Sequence, residues 1–272
     1  MNVHHPFTAA DLAELDARLL ARATSVVAME DVLDGNHDAR AIGMRHDVDA
    51  WHALATAVRL AEWEAERGYR STYYVLHTSP YWGSPEFADS LYQIAAAGHE
   101  IGIHSNALAE SLRTGRDPDT ILEIAIRTLR NLGFAVRGVA GHGDAFCNRA
   151  RAPGEITFAN DEQFVECARP QEGEPDRVIT RGQNTLKLVP RPLADFGLEY
   201  EALNLANPFP FRISDSRGQW LNPGWPETVA KWNRMRNDFP DQTDANAACR
   251  QMHFLMHPDW WAQAFARDAV AA

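Results

Sequence analysis

The chain has 272 residues, 45% of them hydrophobic and 23% charged, enough for one large domain with a core of its own. Its 26 Lys and Arg against 37 Asp and Glu leave a net charge of −11, which argues against nucleic acid or an anionic membrane surface as the main partner. No apolar run reaches the ~18 residues of a membrane span, the first residues lack a signal peptide's basic and apolar regions, and Cys147, Cys167 and Cys249 lie far apart. These features predict a cytoplasmic protein with reduced thiols and no membrane insertion.

In chain order, residues 8–33 have helical apolar spacing with Thr8 or Asp11 as caps, predicting a helix or helix pair. AIGMRHDV is the first expected strand, 50–67 a helix closed by Gly68, and STYYVLHT a second strand rich in β-branched and aromatic residues. PEFADSLYQIAAAG then reads as a helix, HEIGIHS as a strand, DPDTILEIAIRTLRNLG as a helix and AVRGVAGHG as a strand. Residues 148–210 lose this rhythm, with only short strand-like pieces such as RVIT and TLKLV. FRISDSRGQW reads as a strand and turn, PETVAKWNRMRNDF as a helix, QMHFLMH as a last strand and WWAQAFARDAVAA as a closing helix. Repeated β-α units with short connections predict an α/β fold of mainly parallel strands, a doubly wound sheet or a barrel.

Parallel α/β sheets bind ligands at the carboxyl ends of their strands. Here those ends carry Asp47 and Asp49, His77, His104 and Ser105, His142 and Asp144, and His257 and Asp259. Side chains alternate along a strand, so in RHDVD the two carboxylates share one face while His46 and Val48 take the other. Like charges so close need a cation or a proton to relieve them, unless the pair lies in a solvated turn. Asp49 and His104, on different strands, suit a divalent ion that keeps an open position for water. His99 and His104 are five apart and face opposite sides of a regular strand, so His99 is expected to make a structural hydrogen bond.

Taken together, RHDVD, GHEIGIHS and LMHP resemble the polysaccharide deacetylase family, carbohydrate esterase family 4, from about residue 41 to 262. Its members are distorted (β/α) barrels that use a divalent metal to remove acetyl groups from sugars. The resemblance implies a single domain: an N-terminal helical extension over 1–40, the barrel over 41–262 and a helix end over 263–272. It implies Asp47 as general base, Asp49 and His104 as metal ligands and His257 as general acid. The family's second motif carries a further histidine where this chain has Leu108, so one ligand is missing. Another residue or a water would fill the place, or the metal is lost; His142, in VRGVAGHGD, is placed to replace the ligand, and Arg137 in the same stretch takes the part of the arginine that orients the base. Asp215, with Trp220, is similar to the family's Asp and Trp pair.

The resulting expectation is a metal-dependent hydrolase, with zinc the first choice of ion, acting on an N-acetylated sugar or related small amide. Asp215 or Asp259 would keep His257 charged, and Trp220, Trp260 and His77 would contact a saccharide or other small substrate. A homo-oligomer is compatible with the sequence. The rival is a non-catalytic relative that binds a sugar or a partner: Leu108 favours it, whereas Asp47, Asp49, His104 and His257 together favour the enzyme.

Overall fold

A computed structural model of the chain describes residues 7–38, 41–150, 156–167, 177–206, 209, 211–216 and 252–266. The strands are β1 (Val26–Val27), β2 (Ile42–Val48), β3 (Thr72–Leu76), β4 (Glu100–Ser105), β5 (Gly138–Gly141), β6 (Arg177–Arg181), β7 (Asn184–Leu188), β8 (Tyr200–Glu201), β9 (Phe211–Ser214) and β10 (Met252–Met256). The helices are α1 (Ala9–Arg18), α2 (Met29–Leu33), α3 (Ala53–Ala65), α4 (Phe87–Ala96), α5 (Ala107–Thr114), α6 (Pro118–Asn131), α7 (Ala145–Asn148) and α8 (Ala202–Leu205). Seven strands follow the order β8-β5-β4-β3-β2-β10-β9, with β1 added beside β2, and this curled parallel sheet fits a distorted (β/α) barrel. Parallel strands are covered on both faces, which is why β2, β3 and β4 are buried at every position, polar ones included.

The chain forms two compact units. In the first, β1 and β10 pair with β2, and β9 pairs with β10, all parallel. Helix α1 starts from Thr8, whose side chain and backbone exchange hydrogen bonds with Asp11, and it buries Leu12 and Leu15. Helix α3 buries Leu54, Ala57, Val58 and Ala61 along one stripe.

In the second unit β4 and β5 pair in register, His104 opposite Ala140, and β5 pairs with β8. Helix α6 begins at Asp117, which accepts from the Thr120 N–H at 2.8 Å, and Pro118 fills its first turn. The strand-like pieces after residue 176 form the β6–β7 hairpin, in which Arg181 faces Asn184 and Gly182 takes φ +60° at the turn.

Three expectations change. Residues 8–33 are not helical throughout, because the β-branched pair Val26–Val27 leaves the helix to pair with Ile42 and Gly43. Helix α5, ended by Gly115 at φ +74°, was not anticipated. WWAQAF lies in a 3-10 segment, Pro258–Phe265, rather than an α-helix. The helix expected at 226–239, with Trp220, Trp225 and Cys249, lies outside the described residues.

Glycines in the second unit leave room for two tyrosines. A Cβ on Gly102 would stand 2.5 Å from the Tyr74 ring, and one on Gly138 would stand 2.2 Å from the Tyr200 ring. The two hydroxyls meet at 3.0 Å. Gly102→Ala and Gly138→Ala are each expected to destabilise the fold by about 1–3 kcal/mol in urea unfolding. Adding Tyr200→Leu should recover part of the Gly138→Ala loss and none of the Gly102→Ala loss.

Candidate active site

The site begins at the end of β2. Arg45, Asp47 and Asp49 alternate onto one face, and Arg45 Nη2 donates to Asp47 Oδ2 at 3.2 Å with both side chains almost wholly buried. Sequence reasoning missed Arg45, although it precedes Asp47 at the same-face spacing. His46, on the other face, belongs to a buried network. Its Nε2 meets Glu64 Oε1 at 2.7 Å, while the hydroxyls of Ser71 and Tyr73 donate to Glu64 Oε2 at 2.6 and 3.0 Å. Burial alone would raise the Glu64 pKa, but His46, His99 and Ser71 bring it below the usual value, so a carboxylate anchors the back of β2. His99 fills the expected structural role: its Nδ1 accepts from the Ser71 N–H at 3.1 Å and its Nε2 meets the Ala61 carbonyl at 2.9 Å.

The β2–β10–β9 register supplies the next residues. Met256 lies opposite His46 and Leu255 opposite Ser214, so His257 follows β10 at the level of Asp47, and Asp215 follows β9 at the level of Met256, one residue before His257. Asp215 is fully buried and accepts from the His257 N–H at 3.0 Å and from Trp261 Nε1 at 2.7 Å, and it meets His257 Nδ1 at 2.7 Å. Burial would lower the His257 pKa, yet the hydrogen bond and charge of Asp215, with Asp47 and Asp49 nearby, raise it to about 9. His257 is therefore a cation at neutral pH. Burial and the charge of Asp49 raise Asp259 to about 6, and its Oδ1 accepts from the Ala50 N–H at 3.3 Å.

In the second unit, His104 ends β4 and its Nδ1 meets the Ala140 carbonyl at 2.9 Å. A carbonyl only accepts, so Nδ1 carries the proton and Nε2 keeps its lone pair. The His142 N–H donates to the Ser105 carbonyl at 2.8 Å, continuing the β4–β5 ladder, and His142 Nδ1 then lies 3.2 Å from His104 Nε2. Asn160, 1% exposed, fixes this turn by donating to the His142 carbonyl at 2.8 Å and to Asn106 Oδ1 at 3.0 Å. Asn106 donates onward to Asp144, which Arg113 also holds at 2.6 Å. No sequence signal marked Asn160, which lies 18 residues from His142. His77 Nε2 accepts from the Asn106 N–H at 2.9 Å, and burial, then the charges of His104 and His142, lower its pKa to about 4. His77 is thus a neutral acceptor that holds backbone.

Asp49, His104 and His142 each offer a ligand atom, and these atoms lie within 4.8 Å of one another, so the group could hold a metal ion. Two imidazole nitrogens on a tetrahedral zinc at about 2.0–2.1 Å would stand roughly 3.3 Å apart, close to the spacing of the two histidines. One carboxylate and two imidazoles form a donor set suited to zinc and its neighbours among the divalent ions. Leu108 is fully buried in an apolar cluster with Leu112, Cys147, Phe158 and Ile179. Arg137 is held through Nε and Nη2 by Glu199 at 2.8 and 2.9 Å, while Arg45 reaches Asp47. The tryptophan bound by Asp215 is Trp261, fully buried; Trp260 is half-buried beside it, and Trp220 lies outside the described residues.

Two outcomes follow from this geometry. Leu108→His, which restores the family's motif, should lower stability by about 2 kcal/mol or more and leave Zn²⁺ affinity unimproved, because the new imidazole enters an apolar cluster. Calorimetry with and without Zn²⁺ checks both parts. The folded pKa of His257 lies above its ordinary 6.5, so its proton stabilises the fold fully below about pH 6.5, and that stabilisation is lost as pH rises through about 9. In chelator-treated protein, the unfolding free energy of wild type relative to His257→Gln should fall by on the order of 3 kcal/mol between about pH 6 and pH 10.

No family model, curated protein or solved structure matches the chain.

Proposed function

We propose that the chain is a metal-dependent hydrolase that removes an acetyl or similar acyl group from the nitrogen of an N-acetylated sugar or related small amide, a cytoplasmic precursor. The observation that carries this reading is the grouping of Asp49, His104 and His142, with Asp47 and the charged His257 on strands of the same sheet. The likeness of GHEIGIHS and LMHP to polysaccharide deacetylases supports it further. Leu108's place in an apolar cluster, with His142 standing against His104, supports the enzyme over a non-catalytic relative.

A divalent ion held by Asp49, His104 and His142 would lower the pKa of a water and polarise the substrate carbonyl. Asp47, oriented by Arg45, would take a proton from the water that attacks the carbonyl carbon. The carbon becomes tetrahedral and its C–N bond must then break. His257 gives a proton to the departing nitrogen, and Asp215 holds the ring so that Nε2 remains as the donor. The products are an amine and a carboxylic acid that loses its proton to solvent, while Asp47 releases the proton it took and His257 regains one.

Asp49→Ala should abolish Zn²⁺ binding measured by metal analysis. Asp47→Asn keeps the shape and removes the proton acceptor, so metal content should stay near normal while hydrolysis of an N-acetylated amide falls by about 10² or more. Loss of metal from Asp47→Asn would make Asp47 a ligand instead.

A further inference from the structure

Residues beyond Asp49 form a pocket of about 500 Å³ that none of these roles uses. Its apolar lining comes from Trp51 just before α3, from Leu54 and Ala55 in the first turn of α3, and from Pro80 and Tyr81 in the 3-10 turn Pro80–Gly83. Its polar side chains are two serines, His52 and Glu86. Trp51 is 70% exposed, far more than a tryptophan needs for packing, and its ring meets His52 edge-on at 5.7 Å. Tyr81 is buried and turns its hydroxyl away to the Val48 carbonyl, donating at 2.6 Å, and its ring stacks on Phe87 at 6.0 Å. The polar end of Tyr81 is thus satisfied at the end of β2.

Position and chemistry together name the occupant. Asp49 and Trp51 are two residues apart, so at most about 7 Å of chain separates their Cα atoms. The backbone between them is fixed from the other side, because Asp259 accepts the Ala50 N–H. A substrate whose acyl carbon reacts beside Asp49 is therefore two residues along the chain from Trp51, which lines this pocket. A sugar ring carries polar groups around its whole edge, and in a pocket whose surface is mainly carbon the two serines, His52 and Glu86 would partner only some of them. An aryl group needs none, and it gains from the aromatic surface of the exposed Trp51.

We infer that the pocket lined by Trp51, Leu54, Ala55, Pro80 and Tyr81 binds an uncharged aryl group of the substrate, making the chain's preferred substrate an aryl-substituted amide rather than a bare amino sugar. The inference rests on the hydrolase reading for the words "substrate", and on the pocket alone for binding.

The test titrates acetanilide and N-acetylglucosamine into chelator-treated full-length protein by calorimetry, using wild type, Trp51→Ala and Ala55→Trp. Ala55 is exposed on α3 and lines the pocket, so tryptophan there fills the cavity without entering the core. Acetanilide should bind saturably and more tightly than N-acetylglucosamine, and both substitutions should weaken it at least tenfold. Acetanilide binding that is indifferent to Ala55→Trp, or tighter binding of N-acetylglucosamine, overturns the assignment. Hydrolysis by zinc-loaded protein separates the two claims. Weakened binding in Ala55→Trp with no acetanilide hydrolysis in wild type upholds the pocket and removes the hydrolase. Hydrolysis with a KM that Ala55→Trp leaves unchanged upholds the hydrolase and removes the pocket.

Discussion

Asp47, in a strand that is buried along its whole length, and Asp49, just past the end of that strand, concentrate negative charge, and this is the constraint that the neighbouring residues answer. Removing a charge from water costs several kcal/mol unless a partner compensates. Arg45 supplies one cation from the same strand, at 3.2 Å from Asp47. His257 supplies a second, held in its protonated form by Asp215. Asp259 shows the residual field: the charge of Asp49, added to burial, carries it to about 6. A divalent ion on Asp49 would relieve what these groups leave.

Parallel register turns that local problem into an arrangement of residues. Because β10 pairs with β2 so that Met256 faces His46, the next residue on each strand, His257 and Asp47, comes to the same level. The register of β9 brings Asp215 level with Met256, one residue before His257, whose N–H and ring it then meets, and that of β4 and β5 sets His142 two residues past the His104–Ala140 pair. The opposite side of β2 is fastened by the Glu64 carboxylate through His46, Ser71 and Tyr73. Side chains at the strand ends are thereby carried on rigid elements, which holds reacting groups in place better than loops do.

Much of this was legible in the sequence where a residue's role depends on period alone. Alternation within RHDVD assigned Asp47 and Asp49 to one face, and the five-residue spacing of His99 and His104 separated the structural histidine from the candidate ligand. Roles that depend on residues meeting from distant parts of the chain were not legible. Asn160 secures His142 across 18 residues, and Trp261 reaches Asp215 across 46. Leu108 read as a lost ligand because a motif has no view of the apolar cluster that surrounds it. Arg45 could have been found, since an arginine two positions before Asp47 shares its face; the resemblance drew attention to Arg137 instead.

The central claim is that Asp49, His104 and His142 together hold a divalent ion, and the most direct measurement is X-ray absorption at the zinc edge of the zinc-loaded chain. The account predicts a first shell of nitrogen and oxygen at about 2.0–2.1 Å, with outer-shell scattering from two imidazoles that falls to one in His142→Ala. Sulfur in the first shell, or an imidazole signal unchanged by His142→Ala, would contradict it.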